Sequence, residues 1–124
     1  MKRHAAREKA FQILFQLDMN ELDPGSKFDE QVEQDAFLKE LVQGVRNYKT
    51  QIDTIISGCL EKWSIARVAT VERTILRIAT FEIRYLEDVP TKVSINEAVE
   101  LAHTYGDDKS GKFVNGVLSR ITGA

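Results

Sequence analysis

Gly106-Asp107-Asp108-Lys109-Ser110-Gly111-Lys112 is the stretch whose spacing comes nearest to a known chemistry. Its two glycines, four intervening residues and following lysine match the loop that cradles nucleotide phosphates with backbone N–H groups. The match stops there. Phe113 stands where a serine or threonine would hold magnesium, and Asp107 and Asp108 would repel a triphosphate. The residues before Gly106 also show helical rather than strand periodicity, so the strand–loop–helix setting is missing. The segment is read as a helix start, with Asp107 or Asp108 as its cap. His4 and His103 are the only histidines and Cys59 the only cysteine, too few for a multi-histidine or multi-cysteine metal site. Nothing pairs either histidine with the thiol for nucleophilic catalysis, and the carboxylates are scattered over solvent faces. No catalytic residue, cofactor or metal is expected, and Cys59 reads as a small core residue.

What remains is binding chemistry. Lys2, Arg3, His4, Arg7 and Lys9 crowd the start of the chain. Cations at a helix N-terminus oppose the macrodipole, at a cost of about 0.3–1 kcal/mol each when exposed. They are either a solvated tail or a phosphate-binding patch. Arg3 and Arg7 continue, four residues apart, the line of Ala10 and Leu14, which projects them over the edge of a core rather than into open solvent. A second basic group, Lys109 and Lys112, stands beside Phe113. Lysines next to an aromatic ring suit a phosphate-plus-stacking contact to single-stranded RNA, although Phe113 also fits a plain core position. Glu72 and Glu82 fall inside an otherwise apolar arc. A buried carboxylate needs a partner, either a neighbouring basic side chain or another protein.

The elements that must carry these residues are helical. Ala6, Ala10, Ile13, Leu14 and Leu17, widened by Phe11 and Phe15, form the stripe of a helix from about Arg3 to Asn20. Residues 21–34 are acidic, contain Pro24-Gly25 and read as a loop. A second helix is predicted from about Asp35 to Tyr48, over Phe37, Leu38, Leu41, Val42 and Val45. A third begins near Thr50, with Asp53 completing a cap, over Ile52, Ile55, Ile56 and Leu60. The fourth, roughly Val68 to Leu86, is the most apolar; only Arg73, Arg77, Thr80 and Arg84 make a narrow polar strip, so this helix should be central. Ser94-Ile95-Asn96-Glu97 has the pattern of a capping box for a fifth helix reaching Tyr105. The sixth buries Phe113, Val114, Val117, Leu118 and Ile121.

At 124 residues, 43% of them hydrophobic and 29% charged, the chain has the size of a single domain with a real core. Its net charge of −2 disfavours a general nucleic-acid binder, but a local basic patch binds phosphates whatever the sum. No run of about 18 apolar residues is present, so no membrane span is expected. The N-terminus lacks the apolar core of a signal peptide. A cytoplasmic protein is the plain expectation.

Four segments carry a family likeness: Arg3 through Leu17 (RHAAREKAFQILFQL), Val71 through Ile83 (VERTILRIATFEI), Val89 through Ala102 (VPTKVSINEAVELA) and Lys112 through Leu118 (KFVNGVL). In this order and spacing, over nearly the whole chain, they resemble the NusB family of bacterial transcription antitermination factors. The resemblance implies an all-α fold of six or seven helices in two three-helix subdomains, about 1–63 and 64–124. It implies a protein that is not an enzyme. It also implies binding of boxA RNA together with the ribosomal protein NusE, within the RNA polymerase antitermination complex. RNA contacts carry over to Lys2, Arg3, His4 and Arg7, to the aromatic position Phe15, and to Lys109, Lys112 and Phe113. Glu72 and Glu82 are the candidates for the protein-partner face. Some family members self-associate, so monomer and homodimer both stay open.

Two other readings remain. A NusB-like module guides RNA in certain RNA cytosine methyltransferases, but a chain ending soon after the sixth helix is not expected to hold a methyltransferase fold. A helical scaffold that binds only protein is the other.

Overall fold

In the computed structural model, residues 1–19, 32–61 and 64–123 are described. Every regular element among them is helical. The α-helices with defined bounds are α1 (Arg3–Asp18), α2 (Ala36–Asn47), α3 (Lys49–Ser57), α4 (Thr70–Tyr85), α5 (Thr91–Tyr105) and α6 (Ser110–Thr122). A 3-10 turn, Ile65–Arg67, leads into α4. Of the expected acidic loop, residues 21–31 lie outside the described residues, as does the expected helix end at Asn20, while residues 32–34 are helical. The expected division near residue 63 also falls outside them, at residues 62 and 63.

Helix α4 is central because almost nothing on it faces water. Thr74 through Glu82 are all buried, and α4 packs against each of the other five α-helices. Ile75, Leu76 and Ile78 meet Leu38, Leu41, Ile52, Ile56, Val114 and Leu118 in one continuous core. Truncating any of these to alanine would cost about 2–5 kcal/mol. Gly44 of α2 is required by packing, since a Cβ there would collide with the Phe81 ring of α4.

The polar strip foreseen on α4 is a set of fasteners. Arg73 donates from Nη2 to Asp18 of α1 at 2.7 Å. Arg77 donates from Nε and Nη2 to the two carboxylate oxygens of Asp53 on α3, at 2.8 and 3.0 Å. Burial alone would raise the Asp18 pKa, but the hydrogen bond and charge of Arg73, with Arg77 and Lys49 behind, hold it below its usual value. Arg84 reaches the Ile121 carbonyl of α6. Thr80 is buried and its hydroxyl has no partner.

Two expected caps are different in fact. Helix α3 begins after Tyr48, and Asp53 serves Arg77 rather than a helix end. Helix α5 begins at Thr91, so Ser94 lies inside it, not at its start. The Ser94 hydroxyl is directed instead to the buried Glu82 carboxylate at 2.9 Å. A buried charge gains more from a donor than an exposed backbone terminus does, because water satisfies the latter. Two other helix starts are held by aspartates. Asp35 accepts from the Leu38 N–H at 2.9 Å, and Asp107 accepts from the Lys109 and Ser110 N–H groups.

Candidate nucleic-acid interface

The basic N-terminus is the first turns of α1, lying along α5. Lys2 and Arg3 are exposed; the Arg3 guanidinium sits over the Phe37 ring at 4.6 Å and bonds Asp88 at 3.1 Å. His4 is exposed as well, with Nδ1 at 2.7 Å from Glu97 Oε2 and 3.7 Å from Glu100 Oε2. The hydrogen bond to Glu97, then its charge, raises the imidazole pKa above its usual value.

Arg7, one turn further on, is different. Only 3% of it is exposed. Its Nε donates to both Glu82 oxygens at 3.1 and 3.0 Å, and its Nη2 donates to Oε1 at 2.8 Å. Ser94 adds its hydroxyl, and Nη1 lies 3.8 Å from Glu97 Oε1. The expected RNA contact by Arg7 is therefore corrected: no phosphate reaches it. It positions α1 instead, tying the N-terminal turns to α4 and α5. Glu82 is corrected with it. At 1% exposure, inside this cluster, Glu82 presents nothing to a partner protein.

Glu72 is half-buried. Its Oε1 accepts the Ser110 hydroxyl at 2.6 Å, fixing the start of α6, while Oε2 is shielded from solvent with no hydrogen-bond partner among the described residues. Phe15 is half-buried beside Phe11, at the edge of a hollow of about 280 Å³ lined also by Gln12, Gln16, Val71 and Tyr105. Lys109 and Lys112 are exposed at the start of α6, and Phe113 is half-buried against the core.

Between α5 and α6 lies a shallow hollow of about 610 Å³. Asn96, Val99, Glu100 and His103 line one side of it, and Gly111, Lys112 and Asn115 the other. Gly111 lets the helices approach here, since a Cβ on it would stand 2.6 Å from His103 Nε2. Asn96, His103 and Asn115 bring side chains with hydrogen-bonding nitrogen and oxygen atoms, the kind that reads splayed base edges.

The N-terminal cations and Lys112 thus stand on opposite flanks of α5. They do not merge into one basic furrow: Glu97 and Glu100 occupy the ground between them. The polar residues of the hollow escaped the sequence reading, although a signal existed. Asn96, Glu100 and His103 recur at spacings of four and three along α5, opposite the apolar face of Ala98, Leu101 and Ala102. No described helix is long and apolar enough to cross a membrane.

Against known proteins, the model of the NusB family matches residues 4–123. The chain is 60% identical over 124 residues to the transcription antitermination protein NusB of Oceanobacillus iheyensis, an overlap covering 98% of each chain. Among solved structures it is similar to NusB of T. maritima, with TM-score 0.83 and 35% identity, covering 99% of this chain and 92% of that one. It is also similar to a chain in a crystal structure of the antitermination factors NusB and NusE in complex with dsRNA. There the TM-score is 0.82 and the identity 36%, covering 98% of this chain and 97% of that one.

Proposed function

The chain belongs to the NusB family, and from that premise we propose that it is a transcription antitermination factor that works by binding, not catalysis. It holds boxA-type single-stranded RNA jointly with the ribosomal protein NusE, as part of an RNA polymerase antitermination complex in the cytoplasm. A similar solved structure contains NusB, NusE and RNA together.

The observation that carries this reading is the surface across α5. Exposed Lys2, Arg3 and His4 lie on one flank, exposed Lys109 and Lys112 on the other, and a hydrogen-bonding hollow opens beside them. The cations neutralise phosphates, the hollow takes base edges, and Phe113 on α6 and Phe15 on α1 brace or stack bases. Glu72, with one oxygen lacking a partner, is the remaining candidate for the NusE face. Two weak RNA surfaces held together raise affinity through effective concentration.

Fluorescence anisotropy with boxA RNA, a scrambled strand and a duplex, each with and without NusE, tests this. Weak boxA binding alone and at least about tenfold tighter binding with NusE is the expected result. Equal affinity with and without NusE overturns the joint-binding reading. Equal affinity for the scrambled strand or the duplex overturns the preference for boxA.

A further inference from the structure

His4, which the RNA-binding reading counts among the flank cations, also forms a cluster with Glu97 and Glu100. The imidazole comes from α1 and the two carboxylates from successive turns of α5, 93 and 96 residues along the chain. One ligand atom from each lies within 4.8 Å of the other two. His4 Nδ1 itself faces both carboxylates, at 2.7 and 3.7 Å. Two ligands on a tetrahedral zinc ion, each bonded at about 2.0–2.1 Å, stand about 3.3 Å apart. The observed spacings bracket that value. The Glu100 side chain is 66% exposed and free to make the adjustment.

We propose that His4, Glu97 and Glu100 bind one borderline-soft divalent cation, with zinc the best match. The donor set decides the class. One imidazole nitrogen with two carboxylate oxygens suits zinc, cobalt or manganese, whereas calcium and magnesium favour sites built of oxygen alone. Glu97 is held for the task from behind, because its Oε1 faces Nη1 of the buried Arg7, itself fixed by Glu82. Such outer contacts orient a ligand and hold it ready. Three protein ligands leave a fourth position for water or a phosphate oxygen. The site also lies on the acidic ground between the two basic flanks, where a bound dication would cancel the local negative charge.

Cation binding requires a neutral imidazole and two charged carboxylates, so it weakens with acid. Neither Glu72 nor Asp107 competes for the same ion, since both are engaged by Ser110 on another part of the surface.

The test is calorimetric titration of zinc chloride into the untagged full chain near neutral pH. One equivalent binding in the micromolar range is expected, with no competition from magnesium. His4→Asn and Glu100→Gln should each weaken it by about tenfold or more, by loss of a ligand. His103→Asn and Cys59→Ser should leave it unchanged. Circular dichroism of each variant checks that the helices are intact. No binding up to millimolar zinc overturns the proposal. Affinity unchanged in both His4→Asn and Glu100→Gln also overturns it, because the ion then sits elsewhere.

Discussion

Arg3 and Arg7 are one helical turn apart on α1, carry the same charge and each faces a carboxylate, yet their pairs belong to different physical regimes. Arg3 meets Asp88 in open solvent, with about half of the first side chain and two thirds of the second exposed. Arg7 meets Glu82 with both side chains almost wholly covered. In water the attraction is screened and the ordering of two long side chains offsets most of it. Inside the protein the same attraction is strong, but it has to offset a large desolvation penalty, so every remaining polar atom needs a partner. Glu82 accordingly accepts from Arg7 at three contacts and from Ser94 at a fourth. The outer pair leaves its cation available to a ligand. The inner pair gives up availability and gains placement.

The largest expected effect tests that division. Arg7→Ala leaves the Glu82 charge buried with only Ser94 to satisfy it, and should cost about 3–5 kcal/mol of stability. Arg3→Ala should cost no more than about 0.5 kcal/mol. Urea denaturation of both variants measures the contrast, and equal losses would break it. The double variant Arg7→Met with Glu82→Leu sharpens it, because an apolar replacement of similar volume removes the uncompensated charge. It should recover most of the stability lost by Arg7→Ala.

How far this was legible from the sequence differs by residue. Helix positions came through because apolar spacing reports burial directly: the stripe of Ile75, Leu76 and Ile78 on α4 is the observed core. The Asp107 contact at the start of α6 is legible for the same local reason, as one of the two aspartates the pattern offers there. Ser94 is not. Its spacing to Glu97 imitates a capping box, and only the tertiary placement of Glu82, twelve residues earlier, redirects the hydroxyl. Arg7 carries a signal in its register with Ala10 and Leu14, which sets it at the edge of a core, but no local pattern says that this edge closes over the guanidinium. The odd placement of Glu82 in an apolar arc was the counterpart of that signal. Joining the two would have required knowing that α1 crosses α4 at that point. The Glu97 and Glu100 barrier was hidden for the same reason, since its relation to His4 and Lys112 exists only once α1, α5 and α6 are packed.

Next in size are the effects of exposed cations on RNA. Lys112→Ala and Arg3→Ala should leave thermal stability within experimental scatter while weakening boxA binding several-fold. Each should lower the slope of log affinity against log salt by about 0.7, the release of one counterion from a single strand. If either variant unfolds like Arg7→Ala, the line between placing and contacting charges is drawn in the wrong position. Glu100→Gln should act in the opposite direction and more weakly. Removing one exposed negative charge from the path between the flanks should tighten RNA binding about two- to threefold at low salt, an advantage that fades at high salt. No change would mean that the RNA does not cross α5 at this point.

The smallest effect separates the two regimes by pH. Glu97 raises the pKa of His4 above its ordinary 6.5, chiefly through a hydrogen bond to the charged ring. A group whose folded pKa is raised binds its proton more tightly in the native state. Its contribution to stability is therefore complete below about pH 6.5 and disappears as pH climbs through the folded value. The Arg7–Glu82 pair behaves otherwise, because arginine keeps its charge throughout that range. The wild type should accordingly lose a small increment of Tm between about pH 6 and about pH 9 that His4→Ala does not lose, whereas Arg7→Lys should show the same pH trend as the wild type. The difference is small because His4 is exposed and its attraction to Glu97 is screened by solvent. Should His4→Ala retain the full pH-dependent loss, the imidazole would not be holding α1 against α5, and Arg7, with Arg3 and the N-terminal ammonium, would anchor the N-terminal turns without it.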